Sequence, residues 1–177
     1  MTHELIWAPW RLAYILGEEE PEPDVPSREF LPGAEPDCFL CQYAAETANL
    51  QRLVVRRGER CVTVMNRYPY NNGHLLVAPM RHLPHLGDLD PQTQLELVQT
   101  ITQMTSLLER VLGAQGFNVG LNLGAAAGAG LPGHLHWHIV PRWNGDTNFM
   151  PSTAGVKVVP QSLDALWERL TAELAEE

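Results

Sequence analysis

A chain of 177 residues that is 45% hydrophobic and 19% charged has the composition of one globular domain and is long enough to bury its own core. Its net charge of −9 excludes broad attraction to nucleic acid or to an anionic membrane surface, both of which call for a basic face. No apolar run is long enough to cross a bilayer, and no basic-then-apolar leader opens the sequence. The cysteines, Cys38, Cys41 and Cys61, are too few for a disulfide scaffold, so the expected setting is cytoplasmic. A small polyanion remains an acceptable ligand, provided its site is built locally. Backbone amides, imidazoles and a few cations such as Arg67, Arg81, Arg142 or Lys157 would supply it.

In chain order, residues 5–15 are short and aromatic and read as an arm that docks on the body or on a second subunit. Residues 17–37 are rich in Glu and Pro and read as a solvated linker. The division expected is therefore arm and linker over 1–36, then a compact domain with a C-terminal helix over 37–177. That domain opens on Cys38-Phe-Leu-Cys41. A C-x-x-C pair alone fits a zinc knuckle, a redox couple or two unrelated thiols, but no strand precedes it as in a thioredoxin-like site. His82 and His134 can complete a Cys₂His₂ set, a closed tetrahedron suited to a structural zinc, with His85 as a competing ligand. Cys61 reads as a small core residue.

Strand-like runs follow at 53–57, 60–66 and 74–79. The last two flank the turn-rich Arg67-Tyr-Pro-Tyr-Asn-Asn-Gly73. With Asn66 before it and His74 after it, this turn makes a pocket edge where the Asn66 amide can bind ribose hydroxyls; it also reads as a plain hairpin loop. Asp90 is a good N-cap, Pro91 suits the first helical position, and Gly113 stops the run. Between them Leu95, Val98, Ile101, Thr105, Leu108 and Leu112 predict the buried stripe of a helix. A strand at 117–123, a Gly/Ala loop at 124–130, a histidine-rich strand, and a helix from Ser162 burying Leu163, Leu166, Trp167 and Leu170 complete the order. Strands and helices in this order favour an α+β domain on an antiparallel sheet.

The histidine-rich strand, His134-Leu-His-Trp-His138 followed by Ile139-Val-Pro-Arg142, carries the chemistry. Side chains alternate faces along a strand, so three imidazoles project from one side while Leu135, Trp137 and Ile139 pack on the other. Neighbours on one face stand about 6.6 Å apart at the backbone, so two can share a metal but three seldom do. A metal hydrolase would use His-x-His as a zinc pair; a nucleophile would be the central His136, oriented by its neighbours. No Asp or Glu lies close in sequence to the row, and the loop Gly124-Ala-Ala-Ala-Gly-Ala-Gly130 lets backbone amides approach a phosphate. Both favour the nucleophile, although the loop also fits a simple connector.

These residues resemble the His-x-His-x-His-x-x signature of the histidine triad superfamily of nucleotide hydrolases and transferases. The likeness extends over Asn66 to His74, Pro79 to His82, the helix at Asp90, and Phe117 to Gly124. It therefore covers residues 37–143. The stretch Pro141-Arg-Trp-Asn-Gly-Asp-Thr-Asn-Phe149, Lys157 to Gln161 and the Trp7-Ala-Pro-Trp-Arg11 arm look like the bacterial diadenosine tetraphosphate phosphorylase branch. The resemblance implies a five-stranded antiparallel sheet with two main helices, paired into a homodimer. It implies His136 as the nucleophile of a covalent nucleotidyl-imidazole, with His138 and His74 supporting the phosphate and the nucleophile's orientation. Asn66 would touch the ribose and Asn122 the phosphate region, and Cys38, Cys41, His82 and His134 would hold zinc. Backbone amides near Gly128 and Gly130, with His138, would steady charge on the phosphoryl oxygens.

One departure is visible. Many hydrolase members carry Gln where this chain has Gly130, followed by Leu131 where others have Ser or Thr. The missing side chain opens room for a second anion, which favours inorganic phosphate over water as acceptor. The expected substrate is a dinucleoside polyphosphate, diadenosine tetraphosphate first, or another purine nucleotide, with Mg²⁺ arriving on the polyphosphate. The alternatives are a hydrolase of diadenosine tetraphosphate, phosphoramidates or mononucleotides on the same site, a non-catalytic AMP-binding module, and a zinc-stabilised interaction protein.

Overall fold

The computed structural model describes residues 29–45, 49, 53–146 and 159–176. The aromatic arm, most of the acidic linker, Lys157 and the Thr147–Phe149 end of the branch motif lie outside the described residues. A short helix α1 (Phe39–Ala45) precedes strands β1 (Val54–Arg57), β2 (Cys61–Met65) and β3 (Leu75–Pro79). The long helix α2 (Pro91–Leu112) leads to β4 (Gly116–Leu121) and β5 (Trp137–Arg142), and α3 (Leu163–Ala175) closes the order. The strands form one antiparallel sheet in the order β1-β2-β3-β5-β4. This is the α+β fold with a five-stranded antiparallel sheet and two main helices; α1 is a third, short helix that the sequence reading did not place.

The sheet separates two apolar clusters. On one face Val55, Met65, Leu75, Val77 and Ile139 meet Leu97, Met104, Leu107 and Leu108 of α2 and Leu166 and Leu170 of α3. On the other, Val62, Val64, Leu76 and Ala78 meet Cys38, Leu40, Cys41 and Tyr43 at α1. Central strands β2 and β3 are thus buried on both sides, which is why their sequences read as continuous apolar runs rather than alternations.

The capping of α2 follows its sequence. Asp90 accepts from the Thr93 amide at 2.9 Å, Pro91 occupies the first turn, and Gly113 takes the left-handed conformation at φ 62°. Its buried stripe is rotated from the expected one. Leu108 of the expected stripe is buried and Ile101 and Leu112 pack partly on the core, but Leu95 and Val98 are 58% and 62% exposed, and Thr93, Leu97, Thr100, Met104 and Leu107 join Leu108 inward. The inward set has proper helical spacing but contains two threonines, so counting aliphatic residues picked a neighbouring stripe. Thr100 tolerates burial because its hydroxyl accepts from Arg56 at 3.2 Å.

The histidine segment also differs from a single long strand. Ladder pairing begins only at Trp137, while the approach from His134 is tied by the Leu135 amide donating to the Leu83 carbonyl at 2.8 Å. Alternation survives: Leu135, Trp137 and Ile139 pack in the helix-side cluster, and the imidazoles lie opposite. Replacing Leu97, which is 2% exposed, by Ala should lower unfolding free energy by about 2–5 kcal/mol in chemical denaturation. A loss under about 0.5 kcal/mol would show that the inward stripe has been assigned to the wrong side of α2.

Candidate active site

Three imidazoles lie together on one face of the sheet, His136 and His138 at the start of β5 and His74 just before β3. His136 and His138 stand 5.1 Å apart between ring centroids, and His138 and His74 likewise 5.1 Å apart. The hydrogen bonds around them set the tautomers of the neutral rings. The Tyr70 main-chain N–H donates to His74 Nδ1 at 3.0 Å, so that nitrogen carries a lone pair and His74 is protonated on Nε2. His74 Nε2–H therefore donates to His138 Nδ1 at 2.9 Å, which leaves the proton of His138 on its own Nε2. That Nε2 is buried and has no partner within the described residues. Burial, reinforced by the neighbouring His136, holds His138 down to about 4, so it is neutral at physiological pH. It offers a hydrogen-bond donor without a charge.

His136 has the opposite polarity. Its Nδ1–H donates to the His134 carbonyl at 2.8 Å, which in the neutral ring puts the lone pair on Nε2. The ring is 8% exposed, yet it belongs to neither apolar cluster and is not one of the grouped metal-ligating side chains. A lone-pair nitrogen and an N–H donor thus sit side by side, the pairing an attack on phosphorus needs.

Cys38, Cys41, His82 and His134 form the one group of three or more metal-ligating side chains found among the described residues, with ligand atoms within 4.8 Å of one another. Cys38 Sγ lies 3.3 Å from His134 Nδ1, and Cys41 Sγ lies 3.3 Å from His82 Nδ1 and 3.6 Å from His134 Nδ1. Sulfur and nitrogen at the corners of a zinc tetrahedron are about 3.6 Å apart, so the set fits a tetrahedral ion. His134 Nε2 donates to the Pro79 carbonyl at 2.8 Å, which turns a bare Nδ1 toward the sulfurs. Burial pushes the Cys38 thiol up to about 11 in the absence of an ion, and His134 down to about 4. Gly133 is part of the fit, because a Cβ there would stand 3.1 Å from His82 Nε2. His85 is not in the group; it begins the short 3₁₀ turn at Leu86–Asp88.

The other expected site residues are distributed as follows. Asn66 accepts from the Tyr68 amide at 2.9 Å, and its side-chain amide lies 3.2 Å from His74 Nδ1, so it braces the turn. Asn122 follows β4 and is half-buried. In the loop, Gly128 is left-handed at φ 82° and its N–H donates to the Ala125 carbonyl at 3.0 Å. Gly130 N–H meets no backbone carbonyl among the described residues, and a Cβ at Gly130 would touch nothing within 4 Å. Arg142, a candidate anion binder, is committed elsewhere: it donates twice to Asp146, at 2.6 and 2.8 Å, and once to Asn118 at 2.7 Å. Asp146 also accepts from Asn71 at 3.0 Å, tying the 66–73 turn to the end of β5. Sequence reasoning missed Asp146 and Tyr70. An Asp four residues after Arg142, behind a glycine turn, is the signal that could have found the first.

A family model, the HIT domain, matches residues 47–145. The chain belongs to the HIT domain family. It is 40% identical over 170 residues to the AP-4-A phosphorylase of Mycobacterium tuberculosis, covering 96% of this chain and 84% of that one. It is 34% identical over 93 residues to the asymmetrical bis(5'-nucleosyl)-tetraphosphatase of Schizosaccharomyces pombe, covering 52% and 50% of the two chains. Among solved structures, a Zn-bound histidine triad family protein from Mycobacterium smegmatis matches at TM-score 0.57 and 26% identity, covering 70% of this chain and 84% of that one.

The state of His138 has a consequence for stability. Unfolded, it titrates near 6.5; folded, burial holds it at about 4. Between these values the unfolded chain binds the extra proton, so this stability is full above about 6.5 and is lost as pH falls toward about 4. His138→Gln should therefore lose less stability than the parent between about pH 7 and about pH 4.5 in urea titrations. Both proteins share the acid sensitivity of the Cys/His group, so their difference isolates His138. Parallel losses in the two would refute the neutral, buried imidazole.

Proposed function

We propose that this protein cleaves dinucleoside polyphosphates, diadenosine tetraphosphate first among them, by nucleotidyl transfer through His136. The observation that carries the reading is the His136–His138 pair, an outward lone pair beside a neutral donor. His136 Nε2 attacks the α-phosphorus, the bond to the bridging oxygen breaks, and ATP leaves with its electron pair. An acceptor oxygen then attacks the adenylyl group and returns the lone pair to His136. Attack by phosphate gives ADP, and attack by water gives AMP. His138 Nε2–H and the Gly130 amide would steady the phosphoryl oxygens, and Asn66 and Asn122 would face the ribose and phosphates.

Phosphate is the acceptor favoured here. The space at Gly130 is open, and Leu131 packs against the α1-side cluster rather than into the loop. The 40% identity to an AP-4-A phosphorylase over nearly the whole chain supports the same choice. Simple hydrolysis is the second reading, supported by the shorter match to the asymmetrical tetraphosphatase. Mg²⁺ would travel with the polyphosphate, because the grouped ligands are thiols and imidazoles rather than the oxygens it requires.

The Cys₂His₂ group is read as a structural zinc site that pins α1 to the start of the histidine segment. Thiolate ligands call for a reducing compartment, which supports a cytoplasmic setting. A homodimer is supported by the outer edge of β4, which pairs with no strand among the described residues and leaves Val119 46% exposed, and by exposed Leu95 and Val98 on α2. Residues 37–177 would form the catalytic domain of each subunit.

Incubation with diadenosine tetraphosphate in phosphate buffer should yield ADP and ATP by chromatography. AMP and ATP would favour the hydrolytic reading, and no cleavage would overturn both. His136→Ala should lower turnover about 10⁴-fold or more while nucleotide binding persists. Near-normal activity in that variant would remove His136 from the chemistry. Cys38→Ser with Cys41→Ser should abolish bound zinc in elemental analysis and lower Tm by about 10 °C or more. Unchanged metal content would show that these cysteines are not ligands.

A further inference from the structure

The turn between β2 and β3 carries an aromatic ring that the reaction described above does not use. Tyr70 lies over the imidazole pair: its ring is 5.6 Å from His138 at an interplanar angle of 18°, and 4.6 Å from His74 at 37°. The contact is held at both ends of the residue, because the Tyr70 main-chain N–H also donates to His74 Nδ1. Next to it, Asn71 is 5% exposed and bonds the Pro141 carbonyl at 2.9 Å and Asp146 at 3.0 Å, so the backbone beneath the ring is anchored to β5. Yet Tyr70 itself is 54% exposed and lies in neither apolar cluster. A large aromatic side chain left half in water and stacked on an imidazole adds little to the core.

His138 is otherwise held by one hydrogen bond, from His74. Tethered at Cβ and met edge-on by His136 at 5.1 Å, the ring keeps freedom to rock about its Cβ–Cγ bond, and Gly120 opposite His138 on β4 offers no side chain to limit it. A flat face stacked on the imidazole removes that freedom.

We infer that Tyr70 is a positioning residue that acts through His138: its ring sets the imidazole plane and thereby the direction of the Nε2–H donor. The inference rests on the reading of His136 and His138 as a nucleotidyl-transfer pair, and adds to it the residue that aims the donor. A donor aimed at charge that develops on the phosphoryl oxygens changes the rate of the chemical step more than it changes substrate binding.

The test compares Tyr70→Phe, which keeps the ring, with Tyr70→Leu, which keeps bulk but not the flat face. With diadenosine tetraphosphate and phosphate, the Phe variant should retain kcat within about twofold, whereas the Leu variant should lose about ten- to a hundredfold in kcat with KM nearly unchanged. A purely structural tyrosine would lower Tm in the Leu variant without that split. A matching loss in both variants, a change confined to KM, or full activity in the Leu variant would each overturn the inference. Proton NMR of the imidazoles gives a readout independent of turnover. The His138 ring protons should resonate alike in the parent and the Phe variant and be displaced in the Leu variant, which lacks the ring current of residue 70. Identical His138 resonances in the parent and the Leu variant would also overturn the inference. Lack of any cleavage by the parent would instead overturn the proposed function, with the spectra still deciding whether Tyr70 holds His138.

Discussion

One hydrogen bond, from His136 Nδ1–H to the His134 carbonyl, decides what this site can do. It places the proton on the inner nitrogen and leaves the lone pair on the outer one. The carbonyl is dependable because its residue is the most firmly held on the segment. The His134 side chain is bonded to the Pro79 carbonyl through one nitrogen and faces two sulfurs through the other. The Cys/His group and the reactive imidazole are therefore two ends of the same three residues. Whatever orders the first orients the second, although the two groups share no ligand.

A second chain of bonds runs from the opposite side. The Tyr70 amide sets the tautomer of His74, and His74 sets that of His138. Neither relay contains an ionised carboxylate; both begin at main-chain groups whose donor or acceptor character cannot change with pH. This differs from a Ser-His-Asp arrangement, in which a buried carboxylate orients the base. It would suit the negatively charged substrate proposed for the site, since no carboxylate enters either relay among the described residues. It also explains how a chain with net charge −9 can offer a polyanion site without a basic surface.

The sheet explains why these parts need so little sequence. Strands β2 and β3 are buried on both faces, so β5 beside them is braced on the helix side by Leu135 and Ile139 and can leave its other face to imidazoles. Much of this was legible. Alternation of the histidines, the Cys-x-x-Cys spacing and the caps at Asp90 and Gly113 each follow from rules that act over a few residues, whereas His82 and His134 are reached by ligand type and by the family resemblance. What escaped depends on contacts distant in sequence. The inward stripe of α2 contains Thr100, whose hydroxyl is satisfied by Arg56 on β1, and α1 is too short for periodicity to reveal. The role of Asp146 depends on Asn71, which lies in a different turn, and no local pattern relates Tyr70 to His138.

The central claim is that His136 Nε2 takes the nucleotidyl group. Rapid mixing of the protein with diadenosine tetraphosphate, an alkaline quench that preserves nitrogen–phosphorus bonds, and peptide mass spectrometry test it directly. The account predicts a single adenylyl group on the peptide carrying His136, formed and consumed at the rate of turnover. Cleavage that proceeds without that adduct, or an adduct on another residue, would contradict it.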